Sequence, residues 1–265
     1  MPDWLAVILL GIIEGVTEFL PISSTGHLLL AENSGLLPRQ SELFNVVIQA
    51  GAVLAVFLVF SRRVKTLLFG LAEPETRAYL GKLAVAFVLT IVGVLIARKL
   101  GAELPKDLWP IAWATIWGGV LILIIEWSVT ERTRRTEVTW GIAIVVAMAQ
   151  ILAAVFPGTS RAGATILFAM AIGLTRAAAT EFSFLLGIPT MFAASAYAIY
   201  KDLKVPSPEH TAWSMVALGT LVSAVVAFIV VRWLLRFIQS HTFVGFGWYR
   251  IVLGLLMVYF ALGRG

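Results

Sequence analysis

The chain consists mainly of long apolar runs separated by short polar loops. Six runs are long enough to cross a membrane, because about 20 apolar residues in a helix span roughly 30 Å of hydrocarbon. They cover about residues 42–60, 83–100, 109–127, 182–200, 212–231 and 243–262. The pattern therefore predicts an all-α polytopic membrane protein with six transmembrane helices.

Two further apolar regions, residues 4–30 and 140–174, are each interrupted near the middle by a polar sequence. The first break begins at Pro21 and the second at Pro157. Each half of such a region is too short to cross the membrane. We therefore expect two re-entrant helix hairpins, whose irregular backbone is tolerated only where protein or a wet cavity surrounds it.

The two interrupted regions resemble each other. An offset of 136 residues aligns the two prolines that open the breaks, and it also aligns Ser24 with Ser160. Each half then holds one hairpin and three crossings, so the second half must be inverted relative to the first. We expect a single membrane domain, residues 1–265, made of two inverted repeats, 1–128 and 129–265, whose polar turns meet near the midplane.

The composition agrees with a membrane protein. Hydrophobic residues make up 60% of the 265 positions and charged residues 13%, against roughly 25% charged in a soluble domain. The net charge of +5 is modest and lies mainly in short loops, which argues against nucleic acid as a partner and for the lipid bilayer. The chain has no cysteine, so disulfides and thiolate chemistry are excluded.

The loops differ in basic charge between the two membrane faces. Eleven Lys and Arg residues lie on the face that carries the loops at 61–82, 128–138, 173–181 and 232–242, and seven lie on the other face. The positive-inside rule places the first face in the cytoplasm. Both termini are therefore predicted on the outer, periplasmic face.

Four charged residues lie inside predicted membrane segments and away from the segment ends: Glu14, Glu18, Arg161 and Arg250. Each costs roughly 2.5 to 3.5 kcal/mol at the centre of the bilayer. One interpretation is that they pair with each other and only brace the hairpins. A functional site is the other interpretation, and it is favoured because buried ion pairs seldom repay their desolvation.

Glu14 and Glu18 are four residues apart, so their carboxylates lie on one face of a helix. Adjacent carboxylates repel each other unless a cation or a proton lies between them. Carboxylate and phosphate oxygens are ligands for hard divalent cations. We therefore predict a divalent cation, Mg²⁺ or Ca²⁺, at these two residues.

Both polar turns have features of a phosphate site. Each precedes a predicted helix, where backbone N–H groups and hydroxyls bind anions, and Arg161 adds a guanidinium suited to phosphate. The predicted phosphate-binding residues of the turns are Ser23, Thr25, Gly26, Thr159 and Ser160. For Ser23, helix capping is an equally good explanation.

Ser24 and His27 suggest how such a site could catalyse a reaction. Ser24 could act as the nucleophile, with His27 three residues later as base or acid. The reverse assignment, in which His27 attacks and a glutamate activates it, stays open on spacing alone. Asn45 and Gln49 share one face of the first transmembrane helix and either support the first turn or join helices by hydrogen bonds.

Two long motifs closely resemble the signatures of a known family. They are EGVTEFLPISSTGH, from Glu14 to His27, and PGTSRAGAT, from Pro157 to Thr165. Shorter matching strings begin at Ile48, Glu181 and Trp248, so the resemblance covers nearly the whole chain. The chain is similar to undecaprenyl-diphosphate phosphatases of the bacitracin-resistance type. It departs from them at position 162, where alanine replaces the family's common serine.

The resemblance implies a bacterial inner-membrane enzyme that converts undecaprenyl diphosphate to the monophosphate. Such an enzyme recycles the lipid carrier of cell-wall synthesis and confers resistance to bacitracin, which sequesters the diphosphate. It also implies a divalent-cation requirement. By position in the motifs, Glu18, Ser24 and Arg161 would be the central catalytic residues. Around them would lie Glu14, His27, Thr25, Ser160 and Arg250, the last as a further phosphate ligand.

A second class of function shares the predicted architecture. Inverted repeats with broken helices are typical of transporters, so a polyprenyl-phosphate transporter or flippase is the alternative. Transport alone does not require a serine and a histidine facing paired carboxylates. The sequence leaves open whether the chain acts alone or as a homodimer.

Overall fold

The computed structural model describes residues 1–102, 107–128, 135–204 and 212–262. Within these ranges the chain forms eleven helices and no β-strand. They are α1 (Asp3–Thr17), α2 (Ser24–Asn33), α3 (Glu42–Val59), α4 (Ser61–Phe69), α5 (Pro74–Lys99), α6 (Leu108–Ser128), α7 (Trp140–Val155), α8 (Arg161–Ala171), α9 (Arg176–Lys204), α10 (Trp213–Phe237) and α11 (Val244–Leu262). Arg132 and Arg134, which contribute to the predicted cytoplasmic charge, lie outside the described residues.

Six helices are long and apolar enough to cross a membrane: α3, α5, α6, α9, α10 and α11. This confirms the six predicted crossings, although two begin earlier than predicted. α5 begins at Pro74 instead of residue 83, and α9 begins at Arg176 instead of residue 182. Both helices begin earlier because charged residues interrupt an apolar pattern without interrupting a backbone helix. Pro74 suits the first turn of α5, because a backbone N–H at that position would have no helical partner.

The interrupted regions form two pairs of short helices, α1 with α2 and α7 with α8. α1 has 15 residues and α8 has 11, so at ~1.5 Å per residue they are roughly 22 and 16 Å long. Neither length reaches the ~30 Å of the hydrocarbon layer. The lengths fit helices that enter the membrane and turn back, and the re-entrant path itself stays a prediction.

The two polar turns meet in the interior. Ser160 Oγ, at the start of α8, donates to the carbonyl of Leu20 in the first turn at 3.5 Å. The side chain of Arg250, from α11, donates to the carbonyls of Pro21 at 3.2 Å and Thr159 at 2.9 Å. One arginine therefore connects both turns directly.

Close helix packing surrounds the turns, and it depends on glycine at the contact points. A Cβ atom at Gly119 of α6 would lie 2.6 Å from the carbonyl of Gly247 of α11. A Cβ atom at Gly15 of α1 would lie 2.7 Å from the carbonyl of Ser223 of α10. Small residues let membrane helices approach this closely, so α6 packs against the backbone of α11, and α1, which leads into the first turn, packs against the backbone of α10.

Apolar side chains occupy both the interior and the outside of the molecule. Phe19 and Phe184 are fully buried and pack edge to face, with ring centroids 4.8 Å apart. Leu95, Leu221 and Val252 are exposed on the outer surface. An apolar exterior of this extent is costly in water and suits a lipid environment.

Candidate active site

The two polar turns share one backbone geometry. Ser23 has φ 72° and Ser160 has φ 69°, and both precede the first residue of a helix. Each serine Oγ accepts a hydrogen bond from the glycine N–H three residues later, Gly26 at 3.3 Å and Gly163 at 3.1 Å. The structural counterpart of Ser160 is therefore Ser23, and the predicted alignment of Ser24 with Ser160 is shifted by one residue.

This correspondence makes Ser24 and Arg161 equivalent positions, the first residues of α2 and α8. Both side chains contact Glu18. Ser24 Oγ donates to Glu18 Oε2 at 2.5 Å, and Arg161 Nη2 donates to Glu18 Oε1 at 3.1 Å. The three residues predicted to be central to catalysis are thus in direct contact, close enough for one phosphate group to touch all of them.

A small polar cavity of about 70 Å³ lies between the two turns. Its volume is several times the ~10–15 Å³ that one ordered water needs, so a phosphate group fits within it. It is lined by Glu18, Ser23, Ser24, Thr25, Ala153, Pro157, Gly158, Ser160 and Arg161. Of the other predicted phosphate ligands, Gly26 and Thr159 do not line this cavity.

Arg161 is held from three sides. Its Nη1 donates to the carbonyl of Ser183 at 3.3 Å, its Nη2 also contacts the Met191 sulfur at 3.1 Å, and the guanidinium lies 5.4 Å from the centre of the Phe19 ring. Its buried Nε has no partner among the described residues. The guanidinium is therefore fixed beside the cavity.

His27 does not line the cavity, and the structure shows no hydrogen bond between it and Ser24, so the predicted Ser24–His27 pair does not form. His27 Nδ1 lies 2.7 Å from the carbonyl of Ser23, and Nε2 lies 2.7 Å from the hydroxyl of Tyr249. Because a carbonyl only accepts, Nδ1 carries the proton and Nε2 accepts from Tyr249. The side chain facing Ser24 is the carboxylate of Glu18. Tyr249 was not identified from the sequence because it is 222 residues away from His27.

Arg250 is completely buried and does not line the cavity. Its five N–H groups all donate to backbone carbonyls at 2.9 to 3.2 Å, those of Pro21, Ala114, Thr115, Gly158 and Thr159. A guanidinium has five donors, so none remains for phosphate. The structure therefore gives Arg250 a positioning role in place of the predicted phosphate contact.

Glu14 is fully buried, and neither carboxylate oxygen has a hydrogen-bond partner among the described residues. A buried carboxylate without a partner is costly, so the donor set suits a cation beside Glu14 and Glu18. The described part of the chain has no group of three Asp, Glu, His or Cys residues that could hold a metal. A cation here would need further oxygen ligands from a phosphate or water.

The two predicted roles of Asn45 and Gln49 are support of the first turn and the joining of helices by hydrogen bonds, and Asn45 joins helices. Asn45 Nδ2 donates to Glu32 Oε1 at 3.4 Å, near the end of α2, and Gln49 does not line the polar cavity. Asn45 therefore connects α3 to the end of α2.

Known proteins match this sequence over nearly its whole length. The family model "Bacitracin resistance protein BacA" matches residues 7–256. A Rhizobium etli protein named undecaprenyl-diphosphatase is 51% identical over 257 residues, which covers 97% of this chain and 96% of that protein. Proteins of the same name from Rhizobium johnstonii and Xanthomonas oryzae are 50% and 49% identical, covering 97% of this chain and 96% and 97% of their own lengths.

The matched region includes both polar turns, five of the six crossings in full, the first part of α11 and the residues that contact Glu18. A family model that spans so much of the chain, together with relatives at about half identity, shows membership of the family. The chain belongs to the bacitracin resistance protein BacA family.

Proposed function

We propose that this membrane protein hydrolyses undecaprenyl diphosphate to undecaprenyl phosphate and inorganic phosphate. The observation that carries the proposal is the direct contact of Glu18 with both Ser24 and Arg161 at the polar cavity. The name of the relatives, undecaprenyl-diphosphatase, supports the same reaction. A cavity that takes one phosphate group between a hydroxyl, a carboxylate and a guanidinium suits hydrolysis better than passage of a lipid, so the transport alternative is not favoured.

The contacts suggest a first step in which Ser24 Oγ attacks the terminal phosphorus. The Ser24 proton passes to Glu18, which already accepts its hydrogen bond. The bond from the terminal phosphorus to the bridging oxygen then breaks, and the lipid monophosphate leaves. Arg161 beside the cavity stabilises the negative charge on the phosphoryl oxygens.

In the second step, water adds its oxygen to the phosphorus held on Ser24. The bond between phosphorus and Ser24 Oγ breaks, and Glu18 returns its proton to that oxygen. Inorganic phosphate leaves, and one proton from the water is released to solvent. Glu18 therefore acts first as base and then as acid, which is the role that the sequence had suggested for His27.

We also propose that Glu14 and Glu18 hold a divalent cation, Mg²⁺ or Ca²⁺, together with oxygens of the substrate. The support is the pair of buried Glu14 oxygens that lack a partner among the described residues. When bound, such a cation would neutralise charge on the diphosphate.

The proposed setting is the bacterial cytoplasmic membrane, with both termini on the periplasmic face as the loop charges predict. The two halves, 1–128 and 129–265, are proposed to be inverted repeats. The matching geometry of Ser23 and Ser160 supports this proposal, as does the matching packing of α1 on α10 and of α7 on α5.

The reaction can be tested with purified protein in detergent and farnesyl diphosphate labelled in its terminal phosphate, with Mg²⁺ or Ca²⁺ present. We expect release of labelled phosphate, and an acid-stable label on the peptide that contains Ser24. Ser24→Ala should lose both. Continued release from Ser24→Ala would remove Ser24 as nucleophile, while no release from the unmodified protein would favour the transport alternative.

A further inference from the structure

The contact between α7 and α5 contains a buried polar pair. The side chain of Gln150, on α7, donates from Nε2 to Thr90 Oγ1, on α5, at 3.1 Å. The next residue of α7, Ile151, lies against Gly93 of α5, where a Cβ atom would be 2.2 Å from Ile151 Cδ1. The polar pair therefore lies beside a close apolar contact, one residue further along α7 and three residues further along α5.

In the two proposed repeats, α1 is the counterpart of α7. The offset of 136 residues between the prolines that open the two turns places Glu14 of α1 at the position of Gln150, and Gly15 at that of Ile151. Glutamate and glutamine side chains have the same length, but an ionised carboxylate only accepts hydrogen bonds, whereas an amide also donates. The first half therefore has a carboxylate where the second half has an amide.

The packing of α1 identifies the residue of α10 that corresponds to Thr90. A Cβ atom at Gly15 would lie 2.8 Å from Val226 Cβ on α10. Val226 therefore occupies the place on α10 that Gly93 has on α5. Ser223 precedes Val226 by three residues, as Thr90 precedes Gly93. Ser223 is thus the counterpart of Thr90, and both residues carry a hydroxyl on Cβ.

Glu14 and Ser223 are both fully buried, and their polar side-chain atoms lack hydrogen-bond partners among the described residues. The two carboxylate oxygens of Glu14 can accept, and the Ser223 hydroxyl can donate. Buried donors and acceptors without partners are costly. The corresponding residues of the second half are joined by a hydrogen bond, so backbone packing of this kind brings the two side chains within reach of each other.

We propose that Ser223 is a positioning residue for Glu14. Its hydroxyl donates to one carboxylate oxygen when the Glu14 side chain turns towards α10, and the other oxygen is left to bind a divalent cation. This inference rests on the proposed phosphatase function and its cation, and it adds the residue that orients the first carboxylate. Carboxylates that bind metals are commonly hydrogen-bonded in this way, which fixes their orientation.

Cation dependence of turnover tests the role of Ser223. Ser223→Ala should raise the cation concentration for half-maximal phosphate release by about 10- to 100-fold, the usual effect of losing a group that supports a metal ligand. The kcat at saturating cation should stay close to that of the unmodified protein, because the residues that line the polar cavity are unchanged. Ser223→Thr keeps the hydroxyl and should keep the cation dependence of the unmodified protein.

Thr220→Val is the matched control, because it removes a hydroxyl from the same helix and nearly keeps the volume of the side chain. Thr220 Oγ1 is also buried without a partner among the described residues, but the Thr220 side chain lies against Gly51 of α3. The control should leave the cation dependence unchanged.

Binding of the cation can also be measured without turnover, by equilibrium dialysis of radioactive Ca²⁺. The samples contain farnesyl methylenediphosphonate, whose P–C–P bridge is not hydrolysed and whose oxygens can complete the ligand set. The Kd for Ca²⁺ should rise by about 10- to 100-fold in Ser223→Ala. It should rise no further in the double variant with Glu14→Gln than in Glu14→Gln alone, since residues that act through one contact are not additive.

An unchanged Kd in folded Ser223→Ala, or additive losses in the double variant, would overturn the role of Ser223. If Ser223→Ala does not fold, Ser223→Cys takes its place, because a thiol is a weak donor and should also raise the Kd. Unmodified protein that releases phosphate but binds no Ca²⁺ would refute the cation site and this role with it. Absence of phosphate release from unmodified protein that binds Ca²⁺ would instead refute the phosphatase function, so the failures are distinguishable.

Discussion

Ser24 and Glu18 are joined by a 2.5 Å hydrogen bond across the first polar turn. The serine hydroxyl donates and the carboxylate accepts, so the proton that must leave during attack already points to its acceptor. The other oxygen of the same carboxylate accepts a hydrogen bond from Arg161. The proposed nucleophile and the proposed phosphate ligand therefore both contact the proposed base, Glu18.

Glu18→Gln should lower kcat by about 10²–10⁴-fold, the usual contribution of general acid–base catalysis. Glutamine keeps the shape of the side chain but cannot take the Ser24 proton. Phosphate release from farnesyl diphosphate measures the effect. Glu32→Gln is the matched control, because Glu32 is also buried but contacts Gln40 and Asn45 near the end of α2. A Glu18→Gln enzyme that keeps more than a tenth of its kcat would contradict the role of base.

His27→Asn should reduce kcat by far less than Glu18→Gln, because His27 only links Ser23 to Tyr249. Tyr249→Phe should have a similarly small effect. The double variant should lose no more than the stronger single variant, since two residues that act through one contact are not additive. The measurement is kcat for all three proteins. A loss in His27→Asn as large as that in Glu18→Gln would restore histidine as the base.

Chelation with EDTA should abolish turnover, and added Mg²⁺ or Ca²⁺ should restore it. Glu14→Gln should raise the cation concentration for half-maximal activity by about 10- to 100-fold, in the range seen when a group supporting a metal site is removed. Activity titrated against free cation gives this value, and Glu32→Gln again serves as control. Full activity in excess chelator would show that the buried Glu14 carboxylate is not neutralised by a metal.

Arg250→Lys should reduce both thermal stability and kcat, although the charge is kept. An ammonium has three donors against five in a guanidinium, so at least two buried carbonyls lose their partner at about 1–3 kcal/mol each. Thermal unfolding in detergent and phosphate release would be measured together. Arg236→Lys, at an exposed position in the last turn of α10, should leave both unchanged. A stable and active Arg250→Lys protein would argue against the positioning role.

The six crossings could be predicted from the sequence, and so could the grouping of Ser24 and Arg161 around Glu18, because both depend on local patterns. Apolar runs determine where helices can lie in lipid, and intramembrane charges at Glu18 and Arg161 are too costly to lack a partner. The role of Arg250 could not be predicted, because its partners are carbonyls of distant turns that no side-chain pattern records. The orientation of His27 likewise depends on Tyr249, which comes near it only when α11 packs in place.

The alignment of the two repeats could not be predicted to the residue from the sequence. The prolines at 21 and 157 suggested an offset of 136, yet the matching backbone geometry of Ser23 and Ser160 gives an offset of 137. The second turn therefore holds one residue more between proline and capping serine. Serine occupies two adjacent positions in the first turn, so residue identity alone could not distinguish the two alignments.

The hydrogen bonds from Arg250 to both polar turns also have a consequence for membrane insertion of the chain. Membrane insertion proceeds from the amino terminus, and α11 follows every other described helix in the chain. Until α11 arrives, the carbonyls of Pro21 and Thr159 have no guanidinium between them. We therefore expect hydrolytic activity only after α11 has inserted, and a nascent chain halted before α11 should be inserted in the membrane but inactive.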